Sequence, residues 1–256
     1  MNGITMLKAE HLSCGYGKTR VIHDLSFQVA AGGRLCILGP NGCGKTTLLR
    51  ALAGVIPWQG RVEADGVSLR GVSPKQRAQK IALMSQFSQA VFDYTVYEAV
   101  MLGRYAHHSG SLFPVETPDD RAAVEDALRR TGVWELREQL VTRLSGGQLQ
   151  RVFLARTFAQ EPQIILLDEP ANHLDPRYQE ALLESLREWT ADQGRCVAGV
   201  FHDLSLALVF ADTALLLEEG RALACGPVEE LDEKLLDRLY GMDVRRYMKK
   251  IYGRWK

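Results

Sequence analysis

The segment G-P-N-G-C-G-K-T at residues 39–46 constrains this chain more than any other feature. It matches the pattern G-x-x-x-x-G-K-[ST], in which glycines let backbone N–H groups turn towards phosphate oxygens. The apolar run at residues 34–38 predicts a buried strand before the loop, and residues 46–52 continue as a helix after it. The positive end of that helix adds to the attraction for phosphate. We therefore expect a phosphate-binding loop between a strand and a helix.

The loop residues have distinct expected tasks in a nucleotide site. Lys45 is expected to reach the β- and γ-phosphates, and the Thr46 hydroxyl to ligate Mg²⁺. Cys43 is interpreted as a tolerated loop position and not as a redox group. The predicted nucleotide contacts in this segment are Gly39, Pro40, Asn41, Gly42, Cys43, Gly44, Lys45, Thr46 and Thr47.

Two acidic residues follow the apolar run at residues 164–167, which predicts a buried strand. Ligands of α/β sheets bind beyond the carboxyl ends of such strands. Asp168 is suited to holding Mg²⁺ through water, and Glu169 to polarising an attacking water molecule. Alone, the two acids would also fit a solvated turn, but the glycine loop in the same chain favours a site.

A second glycine motif lies at residues 144–148, with the sequence L-S-G-G-Q. Ser145 is a natural helix cap, and Gly146 and Gly147 leave N–H groups exposed at the start of the following helix, ahead of Gln148. This pattern predicts a second anion-binding site. Taken alone, it would equally fit an ordinary capped helix.

Composition excludes several classes of protein. The 256 residues are 46% hydrophobic and 24% charged, enough for a core without metals or disulfides. The 31 basic and 31 acidic residues balance, so charge gives no argument for nucleic acid. The five cysteines are scattered, which favours a reducing cytosol. No signal-peptide pattern is present, and the apolar segment 204–217 is too short for a membrane span.

Strand and helix patterns alternate along the chain. The first ninety residues read as β-rich, and Asp65-Gly66 predicts a hairpin turn. The last third alternates apolar strands with helices, which predicts a parallel α/β sheet. His107 and His108 are interpreted as solvated, and so is the basic tail at residues 245–256. The further predicted elements are helices at 97–102, 121–130, 147–160, 178–190 and 204–210, and strands at 196–201 and 214–217.

The order and spacing of these motifs resemble the ATP-binding subunit of an ABC transporter over essentially the whole chain. In that resemblance, residues 39–46 are Walker A, 144–148 the signature motif and 164–169 Walker B. It implies an α/β fold with a P-loop NTPase, RecA-like core, an antiparallel β subdomain and an inserted helical subdomain. A single domain would span residues 1–256. Residues 1–85 and 160–256 would form the core with its β subdomain, and 86–159 the helical subdomain.

The resemblance also assigns residues that no local pattern identifies. Gln86 is similar to the Q-loop glutamine, a catalytic contact and Mg²⁺ ligand, and His202 to the catalytic switch histidine. Tyr16 is similar to the aromatic residue that stacks on adenine. Asp175 belongs to the D-loop motif and would link the two ATP sites of a dimer. Ala171 departs from the family, which often has Thr at this position.

The implied partners are a second copy of the chain, transmembrane permease subunits and, indirectly, a periplasmic or lipoprotein substrate-binding protein, with no nucleic acid. ATP and Mg²⁺ are the implied cofactors, and the cytoplasmic face of the membrane is the implied location. Residues 95–100 and 102–105 resemble the importers of iron–siderophore, haem and cobalamin, with siderophore the first choice and molybdate a further alternative. An export ATPase stays open, as does a soluble ABC ATPase acting on nucleic acid or the ribosome.

Overall fold

A computed structural model describes residues 4–85, 93–108, 116–172, 174–192 and 194–253. The strands of these residues form two sheets. They are, in chain order, β1 (Thr5–Tyr16), β2 (Thr19–Ala30), β3 (Arg34–Leu38), β4 (Trp58–Ala64), β5 (Val67–Ser68), β6 (Ile81–Met84), β7 (Ile164–Asp168), β8 (Cys196–Val200), β9 (Thr213–Glu218) and β10 (Arg221–Pro227).

The first sheet is antiparallel, with strand order β2-β1-β4-β5. Its long central strand β1 pairs with both β2 and β4. The turn between β4 and β5 has φ of 51° at Asp65 and 68° at Gly66. Positive φ at both central residues suits the twist of a two-residue hairpin. The hairpin predicted from these two residues is confirmed.

The second sheet carries the glycine loop and has strand order β10-β9-β3-β8-β7-β6. Within it, β6, β7, β8, β3 and β9 are parallel, and β10 lies antiparallel on the edge. All five residues of β7 and of β8 are buried. These strands read as unbroken apolar runs because both faces of the sheet are covered. The predicted parallel α/β sheet is confirmed.

The described residues also form nine α-helices. They are α1 (Lys45–Leu52), α2 (Pro74–Lys80), α3 (Val96–Met101), α4 (Pro118–Arg130), α5 (Gly146–Ala159), α6 (Pro176–Thr190), α7 (Leu204–Phe210), α8 (Glu233–Tyr240) and α9 (Val244–Tyr252), with a short 3-10 helix at Leu102–Ala106. No helix in the described part of the chain is long and apolar enough to cross a membrane. The basic tail at residues 245–256, interpreted as solvated, is helical as far as Tyr252, and its described residues are exposed except for the half-buried Met248.

Three helices between β6 and β7 begin at the same kind of N-terminal cap. In each helix, the side chain of a Ser or Thr at the cap accepts a hydrogen bond from the backbone N–H of the residue three positions later. The side chain of that later residue accepts a hydrogen bond from the backbone N–H of the cap residue. This reciprocal pairing satisfies N–H groups that the first helical turn leaves without partners. The capping pairs are Thr95 with Glu98, Thr117 with Asp120, and Ser145 with Gln148.

A buried ion pair joins the 3-10 helix to α4. Arg104 Nε donates to Asp120 Oδ1 at 2.9 Å, and the two residues are 5% and 2% exposed. Burial by itself raises the pKa of Asp120, but hydrogen bonds from Arg104 and Thr117 hold it well below its usual range. His108 lies 3.7 Å from the same carboxylate and is mostly buried, so its interpretation as solvated is wrong. His107 is exposed, as expected.

Replacing Asp120 by Asn should lower the free energy of unfolding by about 3 kcal/mol near neutral pH, because Arg104 is left without its buried counter-charge. An acid with a lowered native pKa stabilises the fold above its unfolded pKa of about 4 and loses that effect as the pH falls. Urea unfolding of the wild type and of Asp120→Asn should therefore show a difference in the free energy of unfolding that narrows below about pH 4. The exposed Asp126 on the same helix is the matched control, and Asp126→Asn should cost under about 1 kcal/mol.

Candidate nucleotide site

The glycine loop connects the end of β3 to the start of α1. Gly42 and Gly44 have φ of 81° and 107°, which L side chains rarely adopt. A Cβ atom on Gly44 would lie 2.8 Å from Cδ1 of Ile22 on the antiparallel sheet. The glycine pattern is therefore required both by backbone conformation and by the close approach of the first sheet.

Lys45 is the first residue of α1 and its side chain folds back over the loop. Its Nζ donates to the carbonyl oxygens of Gly39 at 2.8 Å and Pro40 at 2.9 Å. The residue is only 8% exposed. A buried ammonium requires such partners. The N-terminal N–H groups of α1 and this ammonium together give the loop two sources of positive charge for phosphate.

Thr46 and Asp168 meet across the sheet edge, as the sequence predicts for an Mg²⁺ site. Thr46 Oγ1 donates to Asp168 Oδ1 at 3.0 Å. Burial raises the pKa of Asp168, and the nearby Glu169 raises it further, while the Thr46 hydrogen bond lowers it. A hydroxyl and a carboxylate are oxygen ligands of the kind Mg²⁺ takes when phosphates and waters complete its shell. These residues therefore fit the implied cation.

Glu169 has an unusual backbone conformation directly after β7. Its φ is 57°, a left-handed value that costs a non-glycine residue about 1–2 kcal/mol. Its N–H donates to the Val200 carbonyl oxygen of β8 at 3.0 Å, which helps to hold this turn. The carboxylate contacts Nε2 of His202 and Nδ2 of Asn172. The structure thus brings together Glu169 and His202, which the resemblance assigns to one reaction.

The strand order explains this convergence. The loop with Lys45 follows β3, His202 follows β8 and Asp168 ends β7, and these three strands are neighbours in the sheet. All three are parallel, so their carboxyl ends lie at one edge. Ligands of open α/β sheets bind at this edge.

The second glycine motif forms the start of α5, a separate element. Ser145 N–H donates to Gln148 Oε1 at 2.9 Å, and Gln148 N–H donates to Ser145 Oγ at 3.3 Å. The predicted cap is confirmed, and the hydrogen bonds that the structure describes for Ser145 stay within this turn. A Cβ on Gly147 would lie 3.5 Å from Leu174 Cδ2. Asp175 caps α6 by accepting from the Tyr178 N–H at 3.2 Å.

The remaining predicted residues are placed as follows. Tyr16 lies at the end of β1, is 45% exposed, and its hydroxyl accepts from Arg50 Nη1 at 3.1 Å. An exposed ring of this kind is available for stacking, and the role in adenine binding stays a prediction. Gln86 lies outside the described residues. Burial raises the pKa of the Cys43 thiol, which disfavours a reactive thiolate.

Sequence reasoning missed two contacts at the site. It did not predict the contact of Asn172 with Glu169, for which the three-residue spacing across a tight turn was the available signal. It also missed Tyr240 of α8, whose pKa is raised by burial to about 12, and whose phenol lies near the Gly39 N–H. Some two hundred residues separate Tyr240 from the loop, so no local pattern could have linked them.

A glycine loop between a buried parallel strand and a helix, with a lysine, a hydroxyl and two acids at one sheet edge, defines a P-loop nucleoside triphosphatase. Residues 22–172 match the family model of the ABC transporter. The chain belongs to the ABC transporter family, whose ATP-binding subunits are ATPases coupled to transport.

Three relatives have about the same similarity to this chain. It is 41% identical over 243 residues to the uncharacterized ABC transporter ATP-binding protein YvrA of Bacillus subtilis; the match covers 93% of this chain and 54% of that protein, about half its length. It is 40% identical over 241 residues to the ferric enterobactin transport ATP-binding protein FepC of Escherichia coli, covering 93% and 88%. It is 39% identical over 246 residues to the hemin import ATP-binding protein HmuV of Pseudomonas putida, covering 93% and 94%.

A solved structure agrees with these relatives. It is an inward-facing ABC transporter assigned to the metal-chelate type, and its matching chain is 30% identical with a TM-score of 0.79. The match covers 93% of this chain and 89% of that one. The expected fold, a P-loop core with an antiparallel sheet and added helices, is therefore confirmed.

Proposed function

We propose that this chain is the ATP-binding subunit of an importer that takes up a metal chelate, with an iron–siderophore as the first candidate. The support comes from the ferric enterobactin and hemin relatives and from the metal-chelate transporter structure. Haem is the second candidate, since the hemin relative is almost as similar. Such a subunit works at the cytoplasmic face of the membrane, bound to permease subunits that receive cargo from a substrate-binding protein.

The observation that supports a dimer as the working form is that two glycine-containing helix starts, those of α1 and α5, lie in one chain. The start of α1 carries the buried Lys45, and the start of α5 carries Ser145 on a different element. A second copy turned head to tail would place its Ser145 against the ATP held by Lys45 of the first. Two nucleotides would then be bound between two chains.

Within this composite site, we assign the predicted roles as follows. Lys45 binds the β- and γ-phosphates, Glu169 orients the attacking water, and His202 contacts the γ-phosphate. Thr46 and Asp168, with Gln86, hold Mg²⁺, which neutralises phosphate charge when it is bound. The adenine ring stacks on Tyr16. The partner copy supplies Ser145, Gly146, Gly147 and Gln148, and Asp175 links the two sites.

The domain division is part of the same proposal. Residues 1–85 and 160–256 form the nucleotide-binding core with its β subdomain, and 86–159 form the helical subdomain. Loss of the γ-phosphate, which both copies share, releases the two copies from each other. That opening is the movement passed to the permease.

The test is reconstitution. The chain should co-purify with a multi-span membrane protein and, in vesicles with it, drive ATP-dependent uptake of radioactive iron supplied as ferric enterobactin. Haemin and molybdate are the comparison cargoes, and preference for either would replace the siderophore assignment. Outward transport would identify an exporter. ATPase activity stimulated by RNA or DNA, with no membrane partner, would contradict the proposal as a whole.

A further inference from the structure

Residues 93–106, which we call the brace, are attached beside α5 at two separate places. The first lies just before the signature motif. Val141 N–H donates to the Tyr94 carbonyl oxygen at 2.9 Å, and Val96 N–H donates to the Gln139 carbonyl oxygen at 2.8 Å. These bonds attach the beginning of the brace to the residues that lead into Ser145.

The second attachment is at the other end of α5. A Cβ atom on Gly103 would lie 2.4 Å from the Arg156 carbonyl oxygen, so only glycine allows the brace to approach the α5 backbone this closely. Next to it, Arg104 Nη1 donates to the Ala159 carbonyl oxygen at 2.8 Å and to Glu161 Oε2 at 2.5 Å. The Ala159 carbonyl is one of those that a helix end leaves unpaired. A cation at this position interacts favourably with the negative end of the helix dipole.

The side-chain hydrogen bonds described for this second attachment come from the guanidinium of Arg104. Besides α5, Arg104 holds Asp120, which is itself the capping partner at the start of α4. The planar guanidinium offers five N–H donors in a fixed geometry, whereas a lysine ammonium is a single point of charge. Arg104 therefore bonds the brace both to α4 and to the end of α5.

The outer side of the brace is quite different from its inner side. Leu102 and Tyr105 are 48% and 74% exposed, while Gly103 and Arg104 between them are buried. The outer side of the brace therefore exposes large side chains to solvent, while its inner side contacts α5.

We propose that Arg104 is a positioning residue for coupling, which makes the brace and α5 move together so that a permease pressing on the brace moves Ser145. This inference rests on the proposed function, because it takes the permease as the partner on the outer side. Arg104 touches neither nucleotide nor permease in this proposal; it acts through α5.

The test compares ATPase activity of the chain alone and with its co-purified permease in vesicles. In Arg104→Lys, the activity of the chain alone should stay within about twofold of wild type. The permease effect is the ratio of the ATPase activity with permease to the activity without it. In Arg104→Lys this ratio should lie about fivefold or more closer to one than in the wild type, the usual scale of coupling between two sites. Arg121→Lys is the matched control, since Arg121 is an exposed residue of α4 paired with Glu116 at 2.8 Å.

Two results would overturn the proposal: an unchanged permease effect, or equal losses with and without permease, which would indicate a purely structural role. If Arg104→Lys does not fold, Glu161→Gln decides by the same ratio, because it weakens the attachment only at its exposed partner. If the permease does not change the ATPase activity of the wild-type chain, the proposed function is contradicted. That result is distinguishable from failure of the role given to Arg104, which shows only in the comparison of the variant with a responsive wild type.

Discussion

Glu169→Gln is expected to lower the rate of ATP hydrolysis by about 100-fold or more, with ATP binding retained. The carboxylate lies at the end of β7 in a backbone turn held by the Val200 carbonyl, and it contacts His202. Gln keeps the shape but cannot accept the proton of an attacking water. Phosphate release under single-turnover conditions measures the loss.

The same variant should accumulate as an ATP-bound dimer, because the γ-phosphate shared by two copies is no longer removed. Size-exclusion chromatography with and without ATP detects that dimer. Glu188→Gln is the control, since Glu188 is an exposed residue of α6 and should leave the rate unchanged. Turnover near the wild-type rate in Glu169→Gln would refute the role given to Glu169.

Lys45→Ala should weaken ATP binding by about 10- to 100-fold, the range expected for losing hydrogen bonds from one charged group. The ammonium is buried and satisfied by the Gly39 and Pro40 carbonyls, so it is already positioned at the loop before phosphate arrives. Titration with a fluorescent ATP analogue measures the dissociation constant.

A melting curve should accompany that titration, because alanine leaves two loop carbonyls without their donor. Lys249→Ala on the exposed face of α9 is the control for loss of one positive charge. ATP affinity unchanged in Lys45→Ala, in a protein that melts normally, would count against the glycine loop as the phosphate site.

Local patterns predicted most of the elements that carry the site. The strand expected at residues 34–38 has those bounds, and the helix expected at 46–52 begins one residue earlier. Helix α6 begins at Pro176, two residues before the predicted start. Apolar runs, capping residues and turn glycines act over a few neighbouring residues, so one sequence is enough to recognise them.

Contacts between distant residues could not be predicted in this way. The buried pair of Arg104 and Asp120 leaves no periodic signal, since each residue alone reads as a surface charge. Helices α8 and α9 were also missed, because the basic residues of α9 read as a solvated tail. The roles of Gln86 and of Ser145 towards a partner copy stay predictions, because they involve residues or a second chain outside the described structure.

Lys45, Glu169 and His202, the residues predicted to be catalytic, follow neighbouring parallel strands of one sheet. Neighbouring strands are held about 4.8 Å apart by backbone hydrogen bonds, which do not depend on side-chain identity. Ile37, Leu167 and Val200, which lie at or next to the ends of these strands, are fully buried, yet substitutions among such residues alter packing more than strand spacing. We therefore expect core substitutions in this chain to leave the spacing of Lys45, Glu169 and His202 largely unchanged, because the backbone ladder sets it.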